Sequence, residues 1–158
     1  MPTSAALDPE QWALWSGWME AHRVLTRNLD RDLQSTCGIS KAEFSVLVTL
    51  DRAPSKELRV SELADLLDWD KGRVAHQLTR MELRGLVDRS VSDTGTARRA
   101  GIRLTAEGRS TVRKALRRHA QNVRRHFFDL MTPEQGDAIR AWSQQILGQQ
   151  ASCRATTR

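Results

Sequence analysis

The chain has 158 residues, a formal net charge of +6 and 39% hydrophobic residues. That length bounds it to one domain by the usual prior, and the charge fits an acidic partner. No apolar run approaches the ~20 residues that span a bilayer. The start MPTSAALDPEQW lacks the charged and apolar regions of a signal peptide, and Cys37 and Cys153 make neither a disulfide framework nor a Cys-x-x-Cys pair. The cytoplasm is the expected compartment. The sequence contains no Gly-rich phosphate loop, HExxH or GxSxG, so no enzyme and no cofactor is expected.

In chain order, Asp8 followed by Pro9 opens a long helix. It is expected to run to about Thr36, before Gly38, with Trp15, Trp18, His22, Leu25 and Leu29 along one stripe. Ser40-Lys41-Ala42-Glu43 reads as a capping box for a second helix ending before Pro54, with Phe44, Leu47 and Val48 on its apolar face. Val60, Leu63, Ala64 and Leu67 recur at helical spacing, with Ser61 near the start. Asp68-Trp69 is a turn, and Asp70 caps the next helix. Trp69 and Val74 are placed to form a hydrophobic staple across that start. Val74, Leu78 and Met81 form the apolar stripe, and Gly85-Leu86 has the form of a Schellman end. Two short helices joined by a tight turn are a helix-turn-helix.

The second of these helices leaves Lys71, Gly72, Arg73, Ala75, His76, Thr79 and Arg80 off the apolar stripe. Such residues serve equally as a solvated face. On the second helix of a helix-turn-helix they are candidates for DNA contact, since arginine reads guanine in the major groove. Ser61 and Thr79 are candidates for holding phosphates. Val87 to Val91 and Ala100 to Leu104 alternate as two strands around Ser92–Thr96. Arg98 and Arg99 beyond that tip suit a minor groove, or an ordinary charged hairpin.

ELADLLDWDKGRVAHQLTRMELRGLVDR resembles the helix-turn-helix of the MarR family of transcriptional regulators, and RLTAEGR resembles the LTxxG that opens its following helix. The resemblance covers nearly the whole chain. It implies a winged fold, mainly α with a small β-hairpin (α+β), and an effector pocket between dimerisation helices and winged module. The family's wing carries Asp-x-Arg with the arginine six residues before that leucine. Arg98 matches the arginine, but Thr96 stands where the aspartate is expected.

Thr105 caps a third long helix, expected to reach about Met131, and Thr132-Pro133-Glu134-Gln135 opens the last one, with Ile139, Trp142 and Ile146 on one face. The final ten residues, QQASCRATTR, are expected to fray. Between Arg109 and Arg125 seven Arg and Lys occur without a carboxylate. That run reads as a solvated face, as a receiver of an anionic effector, or as added attraction to DNA.

A single domain over residues 1–158 is therefore expected. Its winged region is 40–105, and its helical dimerisation regions are 8–36 and 106–150. Pairing about a two-fold axis would bury the stripes holding Leu25, Leu29, Ile139, Trp142 and Ile146. Trp15, Trp18 and His22 could wall a pocket for a small planar aromatic or phenolic acid, though tryptophans at helical spacing are more often core. The expected function is a homodimeric DNA-binding repressor on a pseudo-palindromic operator, released by such a ligand. The alternatives are a redox- or metal-responsive regulator using Cys37 or histidines, and a winged module that binds protein instead of DNA.

Overall fold

The structure, a computed structural model, describes residues 6–92 and 99–156. Among the described residues, six α-helices and three strands follow one another as α1 (Pro9–Cys37), α2 (Lys41–Arg52), β1 (Glu57–Leu58), α3 (Val60–Leu67), α4 (Lys71–Leu83), β2 (Val87–Ser92), β3 (Arg99–Leu104), α5 (Ala106–His126) and α6 (Pro133–Thr156). The chain divides into two compact units, Met1–Asn122 and Val123–Arg158. Among the described residues no helix is long and apolar enough to cross a membrane.

The helix starts follow from local chemistry. Asp8 and Gln11 cap α1 reciprocally, at 2.8 and 3.1 Å, and Pro9 supplies a preset φ where its missing N–H costs nothing. Ser40 and Glu43 do the same for α2, and Asp70 Oδ1 accepts the Arg73 N–H at 2.7 Å to open α4. In the second unit, Thr132 and Gln135 cap α6. Each cap satisfies amides that the helix leaves without partners.

The core of the first unit is a continuous cluster. Leu33 and Ile39 meet Val46, Leu47 and Leu50 of α2, Leu63 of α3, Val74, Leu78 and Met81 of α4, Ile102 of β3 and Val112 of α5. Burying one such side chain stabilises by about 1.5–3 kcal/mol. On α2 the innermost residues are Val46, Leu47 and Leu50. The expected Phe44 and Val48 are only half-buried and pack on the edge of that cluster.

The sheet is antiparallel in the order β1-β3-β2. β2 and β3 pair from Val87↔Leu104 to Ser92↔Arg99, one residue beyond each expected strand. β1 was not expected from sequence. Two residues carry no period, and the strand exists because Glu57 and Leu58 pair with Arg103 and Ile102.

α5 and α6 depart from expectation. α5 ends at His126 instead of Met131. Phe127 leaves helical dihedrals (φ −127°, ψ −64°) and meets Phe128 edge-on at 5.2 Å. Neighbouring residues on a helix do not face each other, so this contact requires the break. A 3₁₀ turn, Phe128–Leu130, follows. The backbone of α6 stays helical through Thr156, which corrects the expected fraying over residues 149–156; residues 157–158 lie outside the described residues. After Gly148, Gln149, Gln150, Ala151, Arg154 and Ala155 favour helix, and no further Gly or Pro stops it.

The junction between α4, β2 and α5 is close-packed. The Leu86 N–H bonds the Met81 carbonyl at 3.0 Å and the Gly85 N–H bonds Glu82 at 2.9 Å. Gly85 has φ +67°, the left-handed geometry that completes a Schellman end. The Thr105 hydroxyl donates to the Gly85 carbonyl at 2.6 Å and accepts the Gly108 N–H at 2.9 Å. A Cβ on Gly108 would lie 2.0 Å from the Leu86 carbonyl oxygen. The Leu-Thr-x-x-Gly pattern is thus a cap and a close approach in one segment. Gly108→Ala is expected to destabilise the fold by about 1–3 kcal/mol, the usual cost of overpacking. A urea-unfolding midpoint equal to that of the unaltered protein would contradict the contact.

Candidate nucleic-acid interface

α4 presents two unlike faces. Val74, Gln77, Leu78 and Met81 are buried, while Lys71, Gly72, Arg73, Ala75, His76, Thr79 and Arg80 are exposed. The inner set turns once per 3.6 residues against the core and leaves the polar set outward. Every α4 residue singled out from sequence for DNA contact lies on that outer face. Ser61 is half-buried at the second position of α3. Arg98 lies outside the described residues, as does Thr96; Arg99 opens β3, where its backbone pairs with Ser92.

The outer face is cationic and unneutralised. Lys71, Arg73 and Arg80 enter no ion pair among the described residues. The flanking arginines are paired: Arg84 to Glu43, Arg89 to Glu82 at 2.9 Å, and Arg103 to Asp88 at 2.7 Å. The Asp88 carboxylate raises the Arg103 pKa further, through its hydrogen bond first. The first two pairs join the C-terminal end of α4 to α2 and β2, and the third ties β3 to β2. Arg84 Nη2 also donates to the Gly38 carbonyl at 2.8 Å, so the end of α4 is tied to the α1–α2 corner.

Three smaller features refine the expected roles. The Thr79 hydroxyl donates to the Ala75 carbonyl at 3.1 Å. A phosphate oxygen accepts only, so Thr79 must leave Ala75 to bind one. A Cβ on Gly72 would lie 3.2 Å from Asp70 Oδ1, so this glycine also makes room for the cap. The Arg73 guanidinium lies over the Trp69 indole, 4.0 Å from the ring centroid. The sequence paired Trp69 with Val74 in a staple. Trp69 is indeed half-buried against the core, but its ring also carries the arginine, a contact one helical turn away that charge and aromaticity alone could have signalled.

The remaining candidates are dispersed. Trp15 and Trp18 are 51% and 37% exposed, and the Trp18 and His22 rings are 6.2 Å apart on the same exposed part of α1. Leu25 and Leu29 are half-buried. In the second unit Trp142 and Ile146 are exposed and Ile139 is half-buried. Cys37 is half-buried, its Sγ 3.5 Å from Thr36 Oγ1. His119 packs against Phe44 with ring centroids 4.8 Å apart, its Nδ1 buried without a hydrogen-bond partner, and burial lowers its pKa. Among the described residues no three of His, Cys, Asp and Glu gather as a metal site. In the basic run, Arg109 donates to the Leu104 carbonyl at 2.8 Å, whereas Arg113, Lys114 and Arg117 are exposed and in no ion pair among the described residues.

A sequence model of the MarR family matches residues 38–99, the span from the α1–α2 corner to the start of β3. No curated protein matches the sequence. Among solved structures, AbsC, a MarR family transcriptional regulator from Streptomyces coelicolor, is 32% identical, with 94% of this chain and 99% of that chain covered at a TM-score of 0.82. Sco3205, a MarR family transcriptional regulator from the same organism solved in complex with DNA, is 29% identical, covering 93% and 91% of the two chains at a TM-score of 0.80. MarR from E. coli in its apo form, at 20% identity and a TM-score of 0.69, shares the fold. With a relative at 32% identity covered almost end to end, the chain belongs to the MarR family of transcriptional regulators.

Proposed function

We propose that this regulator is a homodimeric, sequence-specific DNA-binding repressor whose α4 lies in the major groove. The observation that carries this reading is the outer face of α4, where Lys71, Arg73 and Arg80 are exposed and without carboxylate partners among the described residues. Leaving charges unpaired on a helix otherwise fixed by ion pairs gains nothing for folding. It leaves their N–H donors available for phosphates and base edges. The DNA complex of Sco3205, at 29% identity, supports the same partner class. In this reading Lys71, Arg73 and His76 meet bases, Gly72 and Arg80 lie along the backbone, Ser61 and Thr79 take phosphates, and Arg98 and Arg99 serve the minor groove. The protein acts in the cytoplasm.

Dimerisation is supported by apolar side chains that a single chain leaves in water. α1 exposes Trp12, Leu14, Trp15, Trp18 and Met19, and α6 exposes Trp142, Ile146 and Leu147. Exposed apolar surface of this kind marks an interaction face, and a two-fold pair matches a pseudo-palindromic operator with half-sites about 34 Å apart. Sedimentation equilibrium is expected to give a dimer at micromolar concentration; a monomer throughout would contradict it.

Release is proposed to follow binding of a small planar organic acid beside Trp15, Trp18 and His22. Only a ligand with different affinity for the two states can switch it. Such an acid must weaken operator binding by the same factor by which operator weakens the acid. Unequal factors in paired titrations would refute that coupling.

Base reading by α4 is tested through Arg73. Arg73→Ala is expected to cost about 1–3 kcal/mol on an operator selected from randomised duplex, with relaxed preference at one position per half-site. Equal losses on operator and random duplex would overturn the base-reading role.

A further inference from the structure

We propose that Trp69 is a positioning residue that presets the Arg73 guanidinium for base recognition, an inference that rests on the proposed DNA-reading role of Arg73. Trp69 stands one residue before the Asp70 cap and four before Arg73. Its ring is half-buried and packed on the core, so it is a fixed surface. The guanidinium carbon lies 4.0 Å above the ring centroid. The same arginine's backbone N–H is held by Asp70 Oδ1 at 2.7 Å. Backbone and side-chain end are therefore both anchored, by two residues of the turn between α3 and α4.

The kind of anchor matters. Flexible arginine side chains lose conformational freedom when they bind, and that loss subtracts from affinity. A restraint in the free protein removes part of it. A carboxylate would restrain arginine through its N–H fork, the same edge that guanine O6 and N7 require. An indole restrains it through the planar face by cation–π attraction and leaves the five in-plane N–H donors open. The arginines that build this fold, Arg84, Arg89 and Arg103, are held by carboxylates. Arg73 is held by a ring. The contrast assigns Trp69 to orientation of a reading group and distinguishes it from a purely packing aromatic.

The test is a double-mutant cycle on the full-length protein. Trp69→Leu, Arg73→Ala and the double variant are titrated against a duplex selected by the unaltered protein and against its single-base variants. Trp69→Leu is expected to lose roughly three- to tenfold in operator affinity, the range set by ordering one rotamer-rich side chain. The loss should fall on the base pair whose preference Arg73→Ala abolishes. The double variant should bind like Arg73→Ala alone, and Trp69→Phe should recover most of the affinity. Additive losses, or a Trp69→Leu loss equal on every duplex, would overturn the positioning role while leaving Arg73 as a reader. An Arg73→Ala variant with undiminished operator affinity would overturn the reading of Arg73 and the proposal together. Trp69→Met, which keeps bulk without a π face, replaces Trp69→Leu if the latter fails to fold. In the free protein, the Arg73 side-chain NMR resonances should show the upfield ring-current shift of a stacked group, retained in Trp69→Phe. Its absence from the unaltered protein would overturn the proposal independently of DNA.

Discussion

The ion pair between Arg84 and Glu43 fixes how α4 is presented. Glu43 is buried, and its other oxygen accepts the Ser40 N–H that caps α2 at 2.8 Å. One carboxylate thus closes the start of α2 and holds the end of α4. Arg84 adds the Gly38 carbonyl, so three segments meet on one guanidinium. Removing Arg84 would leave a buried carboxylate short of a partner, a costlier state than never having had the pair. Around the same point, Arg89 grips both Glu82 oxygens at 2.9 and 3.0 Å and ties β2 to the last turn of α4. Thr105 and Gly108 seat α5 against the following turn. The helix is held at its rear, and its outward face and N-terminal turn are left accessible.

This arrangement separates arginines by task. Residues 40–105 hold twelve Lys and Arg against ten Asp and Glu, so total charge does not mark that region as a polyanion binder. Placement does. Carboxylates consume the cations that join elements and are absent from the outer face of α4. Local unpaired charge contributes to association with DNA through phosphate contacts and counterion release, whatever the net charge of the domain.

Much of the fold was legible in the sequence because its signals are local. The caps at Asp8, Ser40, Asp70 and Thr132 act over three residues, and the Gly85 end acts over five. The division of α4 into inner and outer faces followed from periodicity alone. What escaped depends on distant partners. β1 needs β3, 46 residues away in the pairing of Glu57 with Arg103 and 44 in that of Leu58 with Ile102, and Arg84 meets Glu43 across 41 positions. The break after His126, where Phe127 and Phe128 meet edge-on, is local, but no Gly or Pro marks it in the sequence. The stacking of Arg73 on Trp69 lies within one turn, yet a staple to Val74 was the competing local use of the same ring. Arg98 and Thr96, on which the reading of the wing rests, lie outside the described residues.

The proposed DNA binding rests on the unpaired cations of the outer face of α4. The direct test measures the affinity of the full-length protein for a duplex selected from a randomised library across a salt series. Log K is expected to fall linearly and steeply with log salt, with a slope of about −0.9 per phosphate contacted. The slope is expected to become shallower when Lys71 and Arg80 are replaced by Gln. Salt-independent binding, or a slope indifferent to those replacements, would contradict the proposed role of these cations.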